Sequence, residues 1–211
     1  MKRTRALTLA AIPAVAAAIA LLYFFVDREV SLAAYELRHT VWHGLAQRIS
    51  LTASGGAACT IVSVGLVLGA CDAITGGLSR RARSILYVCL TVAAAMVIGD
   101  TFKDLFGRAR PPLLFEGGIY GFFPMTGGDM HRSFPSGHSL RIFSAMTALG
   151  FVLPKLRLPA LAFAVIVGAS RVVALRHYPS DVLFGAFIGI TVAAWGWRII
   201  TPPKPAPPGP R

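Results

Sequence analysis

The sequence predicts an all-α integral membrane bundle of six transmembrane helices, and three observations predict it. Hydrophobic residues make up 55% of the 211 positions against 14% charged, with a mean hydropathy of +0.64. Thirty charged side chains are too few to clothe a soluble domain of this size, and so apolar a chain is not intrinsically disordered. Apolar runs recur six times. Every second connection between those runs is basic with almost no acid, the pattern that fixes orientation in a bilayer.

In order, the runs are Ala6–Val26, Ile49–Ala70, Ile85–Gly99, Leu140–Leu153, Leu158–Val173 and Val182–Ile200. A bilayer core of about 30 Å needs about 20 helical residues, with about 17 as the lower limit. The first, second and sixth runs reach that unaided, whereas the third, fourth and fifth need their polar flanks, so those flanks are expected to carry functional groups. The first run follows Lys2, Arg3 and Arg5, but Tyr23, Phe24 and Phe25 stand where a small-residue cleavage site belongs, so it reads as a retained anchor. Pro13 within it is tolerable, because neighbouring helices can satisfy the freed carbonyl. Arg28–Arg48 reads either as an amphipathic helix along the interface or as a polar connector with scattered apolar residues. The segment 201–211 holds six of the 14 prolines and reads as a disordered tail outside the single domain at 1–200.

With the N-terminus inside, one side of the bilayer receives 11 basic residues against one acid, Asp72, and the other receives 10 against eight. Both termini are therefore expected in the cytoplasm, and segments 27–48, 100–139 and 171–181 on the outer face. The net charge of +12 does not point to nucleic acid, because the basic residues alternate with apolar runs instead of forming one strand-tracking surface. Cys59, Cys71 and Cys89 lie inside apolar runs without a CxxC spacing and read as small buried apolar residues. His39 and His43 have a spacing that can suit a metal, but no third ligand stands beside them, and no metal is expected.

The polar residues that topology does not explain fall into three clusters, all expected at the outer face. Lys103, Asp104, Arg108 and Arg110 precede Pro111 and Pro112. On a helix continuing to Arg110, Lys103 and Arg110 would share a face two turns apart, with the prolines stopping it. Arg132–Ser139 reads RSFPSGHS, and Pro135, Ser136 and Gly137 before a helix suggest free N–H groups that cradle an anion beside His138. Ser170, Arg171, Arg176, His177, Tyr178, Pro179, Ser180 and Asp181 form the third. His177 and Asp181 are four apart, so the carboxylate can hold one ring nitrogen and leave the other as a nucleophile. Singly, each residue has an ordinary reading as a snorkelling cation, an interfacial histidine or a helix-packing Ser-Gly pair. Their joint placement does not.

Lys103-x6-Arg110-Pro111, Pro135-Ser136-Gly137-His138 and Ser170-Arg171-x5-His177-x3-Asp181 together resemble the three-part signature of the type 2 phosphatidic acid phosphatase (PAP2) family, which shares its site with vanadium haloperoxidases. The signature region is 103–181. The resemblance implies that Lys103, Arg110 and Arg171, with the Ser136 hydroxyl and the Gly137 backbone, hold the phosphoryl oxygens. It also implies that His177 attacks phosphorus to give a phosphohistidine, with Asp181 orienting it, and that His138 protonates the leaving group and then activates water. Fixed cations would do what Mg²⁺ does elsewhere, so no cofactor is expected, and vanadate should inhibit.

The expected protein is thus a phosphatase of the bacterial plasma membrane acting on its outer face upon a lipid phosphate monoester or diphosphate, of the phosphatidic acid, phosphatidylglycerophosphate, undecaprenyl diphosphate or lipid A phosphate class. Two rivals are a lipid phosphotransferase using the same intermediate and an anionic-lipid carrier without chemistry. Arg141, one turn beyond His138, departs from the usual pattern and is expected to pair with Asp100, Asp104 or Asp181, the alternative being contact with a second anionic group of the substrate. The glycine- and aromatic-rich segment 113–131 reads equally as a gating loop and as an interfacial anchor.

Overall fold

A computed structural model describes residues 2–200, so the expected tail at 201–211 lies outside the described residues. Within them the chain forms nine α-helices and no strand: α1 (Lys2–Phe25), α2 (Asp27–Glu36), α3 (Val41–Leu51), α4 (Gly55–Gly76), α5 (Arg80–Phe106), α6 (Pro111–Gly117), α7 (Gly137–Val152), α8 (Arg157–Val173) and α9 (Pro179–Ile200). Serines set several starts: Ser54 Oγ accepts from Ala57 N–H at 3.3 Å and Ser79 Oγ from Ala82 N–H at 3.1 Å.

Five stretches are long and apolar enough to cross a bilayer: Thr4–Phe25, Val41–Gly76, Arg80–Phe106, Pro154–Val173 and Pro179–Ile200. The expected count of six is not reached, because α7 has only 16 residues, about 24 Å at 1.5 Å per residue. Nor is the second run one straight helix. α3 and α4 are interrupted at Thr52–Ser54, which leaves the Ala53 carbonyl without an intrahelical donor. The segment 28–48 is helical in two pieces: α2 carries Asp27 and Ser31 inward, and α3 packs along α8.

α7 is the centre of the bundle, flanked by α5, α8 and α9. Gly185 and Gly189 of α9 let the two backbones meet: a Cβ on Gly185 would lie 2.6 Å from the Ser136 carbonyl oxygen, and one on Gly189 2.6 Å from that of Leu140. Ile142, Phe143, Ala164, Val167 and Ala186 fill the space between α7, α8 and α9. The exterior is apolar. Leu7, Phe24, Phe25, Ile61, Val67 and Ile74 are all exposed, a surface suited to hydrocarbon and not to water. Cys89 is buried as expected, but Cys59 and Cys71 face outward from α4 onto this apolar exterior. The chain is an integral membrane protein.

Candidate active site

Three segments far apart in sequence meet at the end of the bundle where α5, α8 and α1 finish and α7 and α9 begin. The first differs from the expected continuous helix. α5 stops at Phe106 because Gly107 takes a left-handed φ of +59°, donates back to the Lys103 carbonyl at 3.0 Å, and is crossed by the Phe123 carbonyl where a Cβ would stand. Lys103 therefore ends one helix, Arg110 is the N-cap of the next, and Pro111 and Pro112 open α6 instead of stopping α5. The segment 113–131 is not a free loop. Tyr120 stacks on Tyr23 at 4.9 Å, and Phe122 meets Phe106 and Phe134 edge-on.

The third segment turns between α8 and α9 through Leu175, whose φ is +54°, and the Arg171 carbonyl accepts from both Arg176 and His177 N–H. His177 is 3% exposed. Its Nδ1 donates to the Ser133 carbonyl at 2.8 Å, whereas Asp181 Oδ2 stands 3.7 Å away, so Asp181 is not its primary acceptor. Asp181 instead accepts from Ser133 Oγ at 2.6 Å and from Tyr178 N–H at 2.8 Å, gripping the residue that holds the histidine. With Nδ1 protonated, Nε2 keeps its lone pair. Burial pushes the imidazole down to about 4, against the raising effect of Asp181, so it is neutral at physiological pH.

Behind Asp181 lies a charge network that joins Arg108 and Ser180 of the expected clusters to Asp27, which belongs to none of them. Arg108, fully buried, donates to Asp181 and Ser180 through Nη1 and to Asp27 through Nη2 at 2.8 Å. Burial opposes its charge, but Asp181 and Asp27 overcome that and hold it above its usual value. Asp27 also accepts from Ser180 N–H at 3.0 Å, capping α9 from outside its own chain segment. The signal in the sequence is Asp27 itself: a carboxylate at a membrane-helix end among aromatics needs a partner.

Facing His177 is the start of α7. Ser136 is its N-cap, and Ser136 Oγ accepts from Ser139 N–H at 3.4 Å and Ser139 Oγ at 2.9 Å, which leaves its own proton free to donate. Gly137 is bare where Lys103 Nζ and Arg141 Nη1 approach: a Cβ there would lie 2.9 Å and 3.2 Å from them. His138 interacts electrostatically with Arg171, Arg141, His177 and Lys103. Arg171 is 6% exposed, and its buried Nε has no hydrogen-bond partner. Arg110 is held by Asp129, through Nε to the carbonyl at 2.8 Å and Nη2 to the carboxylate at 3.0 Å. Lys103 is held by Asp100 at 2.8 Å. Arg141 forms none of the expected carboxylate pairs; it donates to the Ala53 carbonyl at 2.9 Å and to His138 Nδ1 at 3.3 Å. His43 donates to the Val173 carbonyl and is bonded to Gln47, so both its nitrogens are engaged.

The family model of the PAP2 superfamily matches residues 84–204, more than half of the chain and all three clusters. The chain belongs to the PAP2 superfamily. It is 35% identical over 103 residues to a lipid A 1-phosphatase of Rhizobium johnstonii, covering 49% of this chain and 42% of that protein. It is 33% identical over 156 residues to lipid phosphate phosphatase 2 of Arabidopsis thaliana, covering 60% and 53%. It thus spans about half the length of the curated relatives it matches. The PAP2 fold itself is matched by the phosphatidylglycerolphosphate phosphatase of Bacillus subtilis, with a TM-score of 0.66 and 21% identity over 91% of this chain and 94% of that one.

Proposed function

We propose that this PAP2 protein is a membrane lipid phosphatase that transfers the phosphoryl group of a lipid phosphate monoester or diphosphate to His177 and then to water. The observation that carries the reading is the buried guanidinium of Arg171, with an unpartnered N–H, beside two histidines, Lys103 and the open N-terminus of α7. Burying such a group without an acceptor is costly unless a ligand supplies one. A tetrahedral oxyanion fits that need, and PAP2 membership with phosphatase relatives supports phosphate.

In this reading Lys103, Arg110, Arg171, the Ser136 hydroxyl and the Gly137 backbone hold the phosphoryl oxygens. His177 Nε2 forms the P–N bond as the P–O bond to the lipid breaks, and His138 supplies the proton to the departing oxygen. His138 then takes a proton from water as its oxygen attacks phosphorus and the P–N bond breaks, releasing phosphate. Asp181 acts at one remove, through Ser133. We read α7 as a short sixth crossing, and in that reading this site lies on the outer face of a plasma membrane with both termini in the cytoplasm, which the charge of the connections supports.

The test is phosphate release in detergent from phosphatidic acid, phosphatidylglycerophosphate, undecaprenyl diphosphate and lipid A phosphates, with and without an added lipid alcohol. His177→Asn should lose at least about a thousandfold in turnover while keeping its fold, because the variant cannot form the intermediate. Arg171→Gln should lose somewhat less. Turnover by His177→Asn overturns the mechanism. Transfer to the added alcohol in place of water makes the protein a phosphotransferase, and lipid binding without turnover by the wild type makes it a carrier.

A further inference from the structure

Arg141 is the polar group here whose role neither PAP2 membership nor topology supplies. It sits on α7 between a small cavity of about 180 Å³, lined by Ala53, Val62, Val92, Ala145 and Met146 among others, and the bare face of Gly137. Each end of its guanidinium has a distinct neighbour. Nε is tied to the Ala53 carbonyl at the break between α3 and α4, Nη1 shares the space over Gly137 with Lys103 Nζ, and Nη2 donates to His138 Nδ1.

The last contact has a chemical consequence. A guanidinium has only donors, so His138 Nδ1 must be the acceptor, and the one proton of the neutral ring lies on Nε2. In that state His138 is neither an acid nor a base at Nε2. An acid requires a proton on Nδ1 as well, and a base requires it on Nδ1 instead. Both conflict with the Arg141 donor.

We propose that Arg141 is a fourth phosphate-binding cation of this site, parked on His138 while the site is empty and drawn onto a phosphoryl oxygen when one enters over Gly137. The inference rests on the phosphatase reading and deepens it. An oxygen placed between Lys103 Nζ and the N-terminus of α7 meets Arg141 Nη1 where it already stands, and a pivot of the planar guanidinium about its Nε–H bond to the Ala53 carbonyl takes Nη2 off His138 while keeping that tether. Release of Nδ1 lets it take the proton of a lipid phosphate monoanion. His138 then gives its Nε2 proton to the leaving lipid oxygen, stays neutral with its proton on Nδ1, and has the Nε2 lone pair that the water step needs. After hydrolysis the Nδ1 proton leaves with the inorganic phosphate and Arg141 returns. The groups bearing on the His138 charge from the elements around it are Lys103 of α5, Arg171 of α8, His177 of the turn before α9 and Arg141 itself, and all but neutral His177 are cations.

The experiment measures inorganic phosphate binding and the ¹⁵N imidazole resonances of His138 in detergent, for wild type and Arg141→Gln. In the wild type, Nδ1 should be unprotonated without phosphate and become protonated when phosphate is added. Arg141→Gln should bind phosphate about tenfold or more weakly, and Arg141→Lys should recover part of that loss. Equal binding by wild type and a folded Arg141→Gln overturns the proposal while leaving the phosphatase reading intact. If the variant does not fold, the wild-type resonances decide, and an Nδ1 unchanged by bound phosphate overturns it. A wild type that neither binds phosphate nor releases it from any lipid overturns the phosphatase reading, and this proposal with it.

Discussion

At the scale of single residues, the proposed mechanism separates groups that would touch substrate from groups that fix them. His177 stands out in the sequence as a candidate nucleophile four residues before an acid, but the spacing suggests a direct pair, and the chain does something else. The turn through Leu175 and the start of α9 at Pro179 put His177 outside the helix, so the i, i+4 relation of a continuous helix does not apply. The Ser133 carbonyl fills the place expected of Asp181. Burial also lowers the affinity of His177 for a proton. Its ordinary value is near 6.5 and the folded value about 4, so the imidazole stays neutral as pH falls through 6 and charges only near 4. An NMR titration of the ligand-free protein, with the resonance assigned by its loss in His177→Asn, should place the midpoint near 4. A midpoint at 6.5 or above would mean that the ring is solvated or tightly paired, contrary to this geometry.

At the scale of elements, the positions of Gly137 and His138 are set by how closely α7 lies against α9. The apolar runs announce both helices, yet no run announces Gly185 and Gly189 as the points of backbone contact, because an apolar segment looks alike on every face until a neighbour is present. For the same reason the interruption at Thr52–Ser54 was not readable: Thr, Ala and Ser occur freely inside membrane helices, and what favours the break is the Arg141 donor on α7. Gly189→Ala tests this dependence. Its Cβ would lie 2.6 Å from the Leu140 carbonyl oxygen and 2.8 Å from Ser144 N, backbone atoms that cannot rotate aside, so α7 must shift. A cost of about 1–3 kcal/mol in stability is expected, together with a fall in turnover as the start of α7 leaves Lys103 and Arg171. Gly76→Ala at the end of α4 meets nothing within 4 Å and serves as the control, expected to match wild type in both. If Gly189→Ala unfolds at the same temperature as Gly76→Ala with equal turnover, the close packing does not position the site.

At the scale of the whole molecule, the start of α2, the chain just beyond α5, the chain just before α7 and the first turn of α9 interlock through Asp27, Arg108, Ser133 and Asp181, whereas the basic connections at 80–83 and 155–157 lie at the ends of α5, α7 and α8 remote from the site. That division was legible because charge must leave the hydrocarbon whatever the tertiary detail, and a chain of antiparallel passes sends alternate connections to opposite sides. The partner of each buried charge was not legible, since Asp27 and Arg108 are 81 positions apart. The division makes a prediction about sidedness. In a cysteine-free background, Met125→Cys lies near the site and is 83% exposed, and Leu78→Cys lies between α4 and α5 and is 38% exposed. A maleimide that cannot cross membranes should label Met125→Cys in intact spheroplasts, and Leu78→Cys only after permeabilisation. Eleven basic residues against one acid make the inverted arrangement unfavourable, because each such cation near a short connection resists translocation. The opposite labelling pattern would put the phosphoryl site in the cytoplasm, and the lipid phosphates available to it would be those of the inner leaflet.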